Sequence, residues 1–322
     1  MTRYFILGGG IAALSAAKAI RENDQSGLIV MLSGESSLPY YRPALTKQLL
    51  TDISAEDIVV KKPAWYDAPG RDIVTLTGRT VSAIDLEKKT VTLRDGNVFT
   101  WDKLVYALGA RCFIPPFEGS ERPNVIAVRD VKDAARVRQL AKSAKNAVVI
   151  GGGVLGLEAA WSLHQGGLSV SVVEFDARVM ARQVDADTSE QIARAMKDHG
   201  VNLYTCASAA KLDDHGLHLK DGRTLPADLV IVSAGIRANA EIAAAAGIRV
   251  DRKITVDEHM QTSAPDVYAA GDCAVFGVSY GLWPEAKEMG RVAGVNAAGG
   301  DAVYQPQTPP VHFSGFGLDI NA

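Results

Sequence analysis

Two stretches of the chain repeat one pattern of apolar and polar positions. In YFILGGGIAALSAAKAI an apolar run, Tyr4 to Leu7, meets three glycines and then apolar residues at helical spacing. The first run predicts an apolar strand. The residues after the glycines predict a helix, and GLIVMLS predicts a second strand ending near Ser33. NAVVIGGGVLGLEAAWSLHQGGLSVSVVE repeats the order strand, glycine turn, helix, strand. Between the copies, RDIVTLTGRTVSAIDLEKKTVTLRDGNVFTWDKLVYALGA alternates as strands with turns at Lys88-Lys89 and Asp95-Gly96. Pro115, Pro116 and Gly119 then mark a break. VKDAARVRQLAKSAKN and DTSEQIARAMKDHG predict helices, and GLHLKDGRTLPADLVIVSAG a hairpin-like run ending in a buried strand. KITVDEHMQTSAPDVYAAGDCAVF returns to strands, and WPEAKEMGRVAGVNAAGG predicts a helix with Pro284 in its tolerated first turn.

The glycines give the repeats a chemistry. Gly8, Gly10 and Ala13 form a GxGxxA turn, and Gly151, Gly153 and Gly156 form GxGxxG. The first glycine permits a tight turn, the second lets backbone approach a pyrophosphate, and the third small residue lets helix and strand pack closely. The helix start then offers free N–H groups and a positive dipole end to an anion. Alone, such a turn is weak evidence, since a glycine-rich turn need not bind anything. Here each copy also has its strand, its helix and an acid, which points to two dinucleotides. Glu35 lies 22 residues beyond Ala13, where a carboxylate accepts ribose hydroxyls. Glu174 ends the second copy. A carboxylate there repels a 2′-phosphate and favours NADH over NADPH, unless it is only an exposed strand-end acid. Aligned on the glycine before the second strand, Gly27 with Gly167, Gly34 falls opposite Glu174, so the first copy carries its acid one residue late.

Composition narrows the class. The 322 residues are 47% hydrophobic and 22% charged, as in a soluble enzyme of two or more domains. A net charge of −3 argues against a general nucleic-acid binder but leaves room for a local basic face. No uncharged apolar run reaches membrane-spanning length. The apolar stretch to Ala17 reads as strand and helix rather than a signal peptide, because three glycines interrupt it. Cys112, Cys206 and Cys273 stand far apart, which suggests neither a metal site nor a disulfide framework and makes a reducing cytoplasm the simplest compartment.

In order, GGGIAA, LPYYRPALTK, LVYALGA, GGGVLGLEAA, SAGIRANAEIA and TSAPDVYAAGDCA carry a family resemblance. From Tyr4 to about Ala298 the chain resembles the two-dinucleotide flavoprotein reductases of the pyridine nucleotide-disulfide oxidoreductase family. LPYYRPALTK is similar to the NADH:rubredoxin and ferredoxin reductase branch and to the flavin module of nitrite reductases. The resemblance implies an α/β fold with two Rossmann-like domains. A discontinuous FAD domain would comprise residues 1–112 and 235–302, and an NAD domain 113–234. It implies that Ala12, Glu35, Val81, Arg129, Asp272 and Trp283 lie around FAD, with Gly235 also in a cofactor site. Asp272 would hold the ribityl or pyrophosphate region, and Trp283 would turn backbone N–H toward the flavin pyrimidine. Arg42 would meet FAD phosphate or the flavin edge. Leu108 in ALG and Ala238 after Arg237 depart from the family's usual Thr and Pro.

By the same resemblance Lys47 lies near flavin N5 and pairs with Glu158, tying one domain to the other. On residue types alone Lys47 reads as solvated and Glu158 as an unrelated surface acid. Disulfide-reductase relatives carry a cysteine in or just before this region, whereas here no cysteine occurs before Cys112, so thiol chemistry is disfavoured. The implied activity is hydride transfer from NADH to FAD and then electron transfer to a rubredoxin- or ferredoxin-type carrier. A redox sensor or assembly protein with slow turnover, and an NADH oxidase, stay open. Residues 303–322 read as the opening of a truncated C-terminal interface domain that in the family supports a homodimer.

Overall fold

The computed structural model describes residues 1–307 and 310–321; the expectation for 303–322 therefore lies outside the described residues at 308, 309 and 322. The chain is α/β and forms two compact units. The first contains Met1–Tyr41, Ala55–Arg111 and Arg237–Pro309; the second contains Arg42–Ser54, Cys112–Ile236 and Pro310–Ala322. The sequence-based division kept 42–54 with the first domain. The contacts group this segment with the second unit, because Thr46 and Lys47 reach Glu158 and Leu50 meets Gly166.

The first unit is built on a parallel sheet in the order Val267–Ala269, Lys103–Tyr106, Arg3–Leu7, Leu28–Leu32, Ile73–Leu76. Tyr4 to Leu7 are all buried, as expected for a central strand with both faces covered. Ile11–Asn23 follows the glycine turn, and Trp283–Ala297 packs against it. Gly290 and Gly294 explain how closely. A Cβ on Gly290 would lie 2.2 Å from the Ala12 carbonyl oxygen, and one on Gly294 2.4 Å from that of Ala16. The helices therefore touch backbone to backbone. An antiparallel sheet of Val81–Asp85, Thr90–Leu93 and Val98–Thr100 completes the alternating segment, with Lys89 in its first turn.

The second unit repeats the plan. Its parallel sheet runs Asn202–Tyr204, Ser169–Val173, Asn146–Ile150, Leu229–Val232, Val125–Ile126. In both sheets the strand before the glycine turn is central, with the strand after the helix beside it. Val131–Ala141 and Ala186–Asp198 are helices capped by the Asp130 and Asp185 side chains. His312–Gly315 and Leu318–Asn321 form an antiparallel hairpin. Phe313 and Phe316 are buried, and Phe316 meets Trp161 at 5.1 Å between ring centroids, so the apolar side of the hairpin is covered within this unit.

The ladders correct one alignment. Leu7 pairs with Leu32 and Ile150 with Val173, which sets Ser33, not Gly34, opposite Glu174. The acid Glu35 is thus two residues late rather than one. The cause is a turn shorter by one residue: Leu28 opens its strand directly after Gly27, whereas Leu168 intervenes before Ser169.

Candidate functional site

The two glycine turns separate their residues by task. Gly8 has φ +143° and Gly151 φ +113°, and a Cβ on either would strike a carbonyl oxygen, Ala107 at 2.1 Å or Ser233 at 2.3 Å. These glycines shape the chain. Gly10 and Gly153 differ: their φ values are −100° and −78°, and a Cβ would meet nothing within 4 Å. Neither backbone strain nor packing requires glycine there, and the space beside each is open. Gly156 is again a packing glycine, since a Cβ there would lie 2.0 Å from the Gly151 oxygen, and Ala13 serves the first copy fully buried. Both helices start on these second glycines with no side-chain cap, so their first N–H groups keep donors to give. An open cradle, uncapped N–H groups and a positive dipole end fit a dinucleotide pyrophosphate in each unit.

The acids are held in place by hydrogen bonds. Glu174 accepts from the backbone N–H of Gly152 at 2.5 Å and of Asp176 at 2.6 Å, which fixes its carboxylate beside the second turn. Glu35 is half-buried, and the Tyr40 hydroxyl donates to its Oε2 at 2.8 Å. Tyr40 therefore orients the acid of the first copy, a task its residue type did not announce. Tyr41 stands edge-on to Trp283 at 5.2 Å.

Of the remaining first-unit residues, Ala12 and Val81 are buried and Asp272 is half-buried. Asp272 follows Gly271, whose Cβ position lies 3.0 Å from the Ala12 Cβ, so strand end and glycine turn meet. Trp283 opens its helix, and Glu285 accepts from the N–H groups of Tyr280 at 2.9 Å and Gly281 at 2.7 Å just before it. Arg42 and Arg129 belong to the second unit, where Arg42 Nη1 donates to the Arg129 carbonyl at 2.8 Å. Gly235, at φ +101°, accepts from Phe113 N–H at 2.9 Å.

Lys47 and Glu158 meet, with Nζ 3.7 Å from Oε1, and both belong to the second unit. Glu158 is 4% exposed, whereas the Lys47 side chain is 39% exposed. Thr46 is the residue sequence reasoning missed: its hydroxyl donates to Glu158 Oε2 at 2.6 Å. Nothing in the spacing marks it, because one short turn brings two consecutive residues to a single carboxylate. Burial raises the Glu158 carboxyl above its ordinary value, against the hydrogen bond from Thr46 and the charge of Lys47.

Cys273 is fully buried, its thiol pushed up to about 12 by burial, and Cys112 is also shifted up by burial. Both behave as small apolar groups. Among the described residues no helix is long and apolar enough to cross a membrane.

The sequence pattern of the pyridine nucleotide-disulphide oxidoreductase family matches residues 2–290. The assimilatory nitrate reductase electron transfer subunit of Bacillus subtilis is 31% identical over 327 residues, which is 99% of this chain and 42% of that protein. Rubredoxin-NAD(+) reductase of Pseudomonas putida is 34% identical over 275 residues, 84% of this chain and 71% of that protein. The solved covalent putidaredoxin reductase–putidaredoxin complex matches with a TM-score of 0.91 at 29% identity, covering 99% of this chain and 80% of that one. This chain spans less than half the length of the Bacillus subtilis protein.

Proposed function

We infer the function from one premise: this chain belongs to the pyridine nucleotide-disulphide oxidoreductase family, whose members use FAD and NAD(P)H. We propose that its first unit holds FAD, its second holds NADH, and the protein passes electrons to a small redox carrier of rubredoxin or ferredoxin type. The observation that carries this reading is the pair of open, uncapped glycine turns, at Gly10 and at Gly153. The carrier class is supported by the rubredoxin reductase and the putidaredoxin complex among the similar proteins.

Bound FAD would supply the chemistry, accepting a hydride from NADH and releasing electrons one at a time. The chain's own residues bind and orient. Gly8 and Gly10 seat one pyrophosphate, and Gly151, Gly153 and Gly156 the other. Glu35, steadied by Tyr40, accepts ribose hydroxyls of FAD, and Glu174 does the same for NADH. Ala12, Val81 and Asp272 line the flavin side, Trp283 offers helix N–H groups, and Arg42, Arg129 and Gly235 complete the cofactor contacts. Lys47 supplies positive charge, balanced by Glu158. No cysteine stands in the Leu38–Lys47 stretch, and the Cys273 thiol is held protonated by burial, which supports a carrier rather than a disulfide as acceptor.

The test is an anaerobic titration of the purified protein with NADH, followed by its visible spectrum. The expected result is a yellow protein bleached by about one NADH per flavin, reoxidised by rubredoxin or a ferredoxin. A colourless protein that cannot take up FAD would sink the assignment. Oxygen uptake without a carrier would redirect it to an NADH oxidase, and bleaching with slow turnover on every carrier to a sensor. Glu174→Ala is expected to raise the ratio of NADPH to NADH use, read from kcat/KM for each, by removing the charge that opposes a 2′-phosphate.

A further inference from the structure

Glu158 is the least exposed acidic residue among the described ones, and its two partners are unequal. The Thr46 hydroxyl donates to Oε2 at 2.6 Å, and Thr46 is itself buried. Lys47 Nζ stands 3.7 Å from Oε1, beyond good hydrogen-bond length, with its side chain 39% exposed. A third titratable group acts on the same carboxyl from the hairpin, the His312 imidazole, whose Nε2 lies 2.9 Å from Asp319 Oδ1. A short hydrogen bond from a hydroxyl to a buried carboxylate is strong. An ion pair to a half-exposed ammonium is weak, screened by solvent and costly in side-chain entropy. The hydroxyl also takes Oε2 and leaves Oε1 turned to Lys47, so it sets the geometry of the ion pair as well.

We propose that Thr46, rather than Lys47, is the residue that holds the Glu158 carboxylate charged and in place. Thr46 is then a positioning residue for the Lys47–Glu158 pair. Lys47 is free to keep its ammonium partly in water while Glu158 stays fixed beneath it. The significance of the pair rests on the proposed function. The hydroxyl's control of the carboxyl does not, since a titration of Glu158 itself can fail while NADH still bleaches the flavin, and the reverse.

The experiment is a pH titration of the Glu158 carboxyl carbon in the purified full chain labelled with 13C-glutamate, the signal being assigned by its loss in Glu158→Gln. The expected result is an upward shift of the midpoint in Thr46→Val, none in Thr46→Ser, and a smaller shift in Lys47→Met than in Thr46→Val. Salt gives a second reading on the unaltered protein. At about 1 M the screening length falls to roughly 3 Å, which weakens a solvent-facing ion pair and spares a buried hydrogen bond, so the midpoint is expected to hold. A Lys47→Met shift as large as that of Thr46→Val, an unmoved midpoint in Thr46→Val, or a midpoint that climbs with salt would overturn the proposal. If Thr46→Val does not fold, the salt series and Lys47→Met decide.

Discussion

Single residues in this protein are separated by what surrounds their Cβ. Gly8 and Gly10 belong to one motif, yet backbone and packing force glycine only at Gly8, while the space beside Gly10 is open. Gly10→Ala and Gly153→Ala are therefore expected to fold with an unchanged melting temperature in the cofactor-free protein and to lose affinity for FAD and NADH respectively, measured by flavin content and NADH titration. Gly8→Ala and Gly151→Ala meet a carbonyl at 2.1 Å and 2.3 Å and are expected to lose stability first, by about 1–3 kcal/mol or more. Glu158 makes a pH-dependent case. Its folded-state value is raised by burial, so the stability tied to its proton is present below the unfolded value and lost as pH rises through the folded one. Glu158→Gln removes that loss. Its melting temperature relative to the unaltered protein is expected to climb as pH rises through this window and to converge in acid, with each kcal/mol appearing as about 2–4 °C.

At the scale of elements, placement comes from contacts that periodicity does not encode. The helix Trp283–Ala297 was legible from its pattern and its early Pro284, but its partner was not. Gly290 and Gly294 let it lie against Ile11–Asn23, which brings the start of the Trp283 helix to the same unit end as the first glycine turn. Gly294→Ala is expected to cost about 1–3 kcal/mol and to lower flavin retention together with stability, seen by denaturant unfolding followed at the flavin and at the backbone. The caps divide the helices in a parallel way. Asp130 and Asp185 satisfy the starts of two helices, while the two that follow the glycine turns have none. A ligand is the natural partner for those N–H groups.

The whole molecule carries two parallel sheets of related order, each with its own core. A cofactor stabilises the unit it binds by mass action. Hydrogen exchange is the measurement suited to this scale. Adding FAD to flavin-free protein is expected to slow exchange in the turn at 8–13, and adding NADH to slow it in the turn at 151–156. Protection of both turns by NADH alone would contradict the assignment of one dinucleotide to each unit.

The sequence by itself determined the repeated strand–turn–helix–strand plan, the glycines of both turns and the acids Glu35 and Glu174, whereas the Lys47–Glu158 pair was implied only by the family resemblance. The plan, the glycines and the acids are local features, fixed by spacing of two or four residues or by a motif that is contiguous in the chain. Tertiary structure decided the rest. The ladder register moved Glu35 to two residues late, since one residue in a turn is invisible until strands pair. Contacts alone drew residues 42–54 into the second unit, and only folding showed that Tyr40 bonds Glu35 and Thr46 bonds Glu158. Hydroxyls on tyrosine and threonine serve packing, caps and catalysis alike. Their partner is chosen by distance across the fold, 112 residues along the chain for Thr46, and no pattern of neighbouring residues carries that distance.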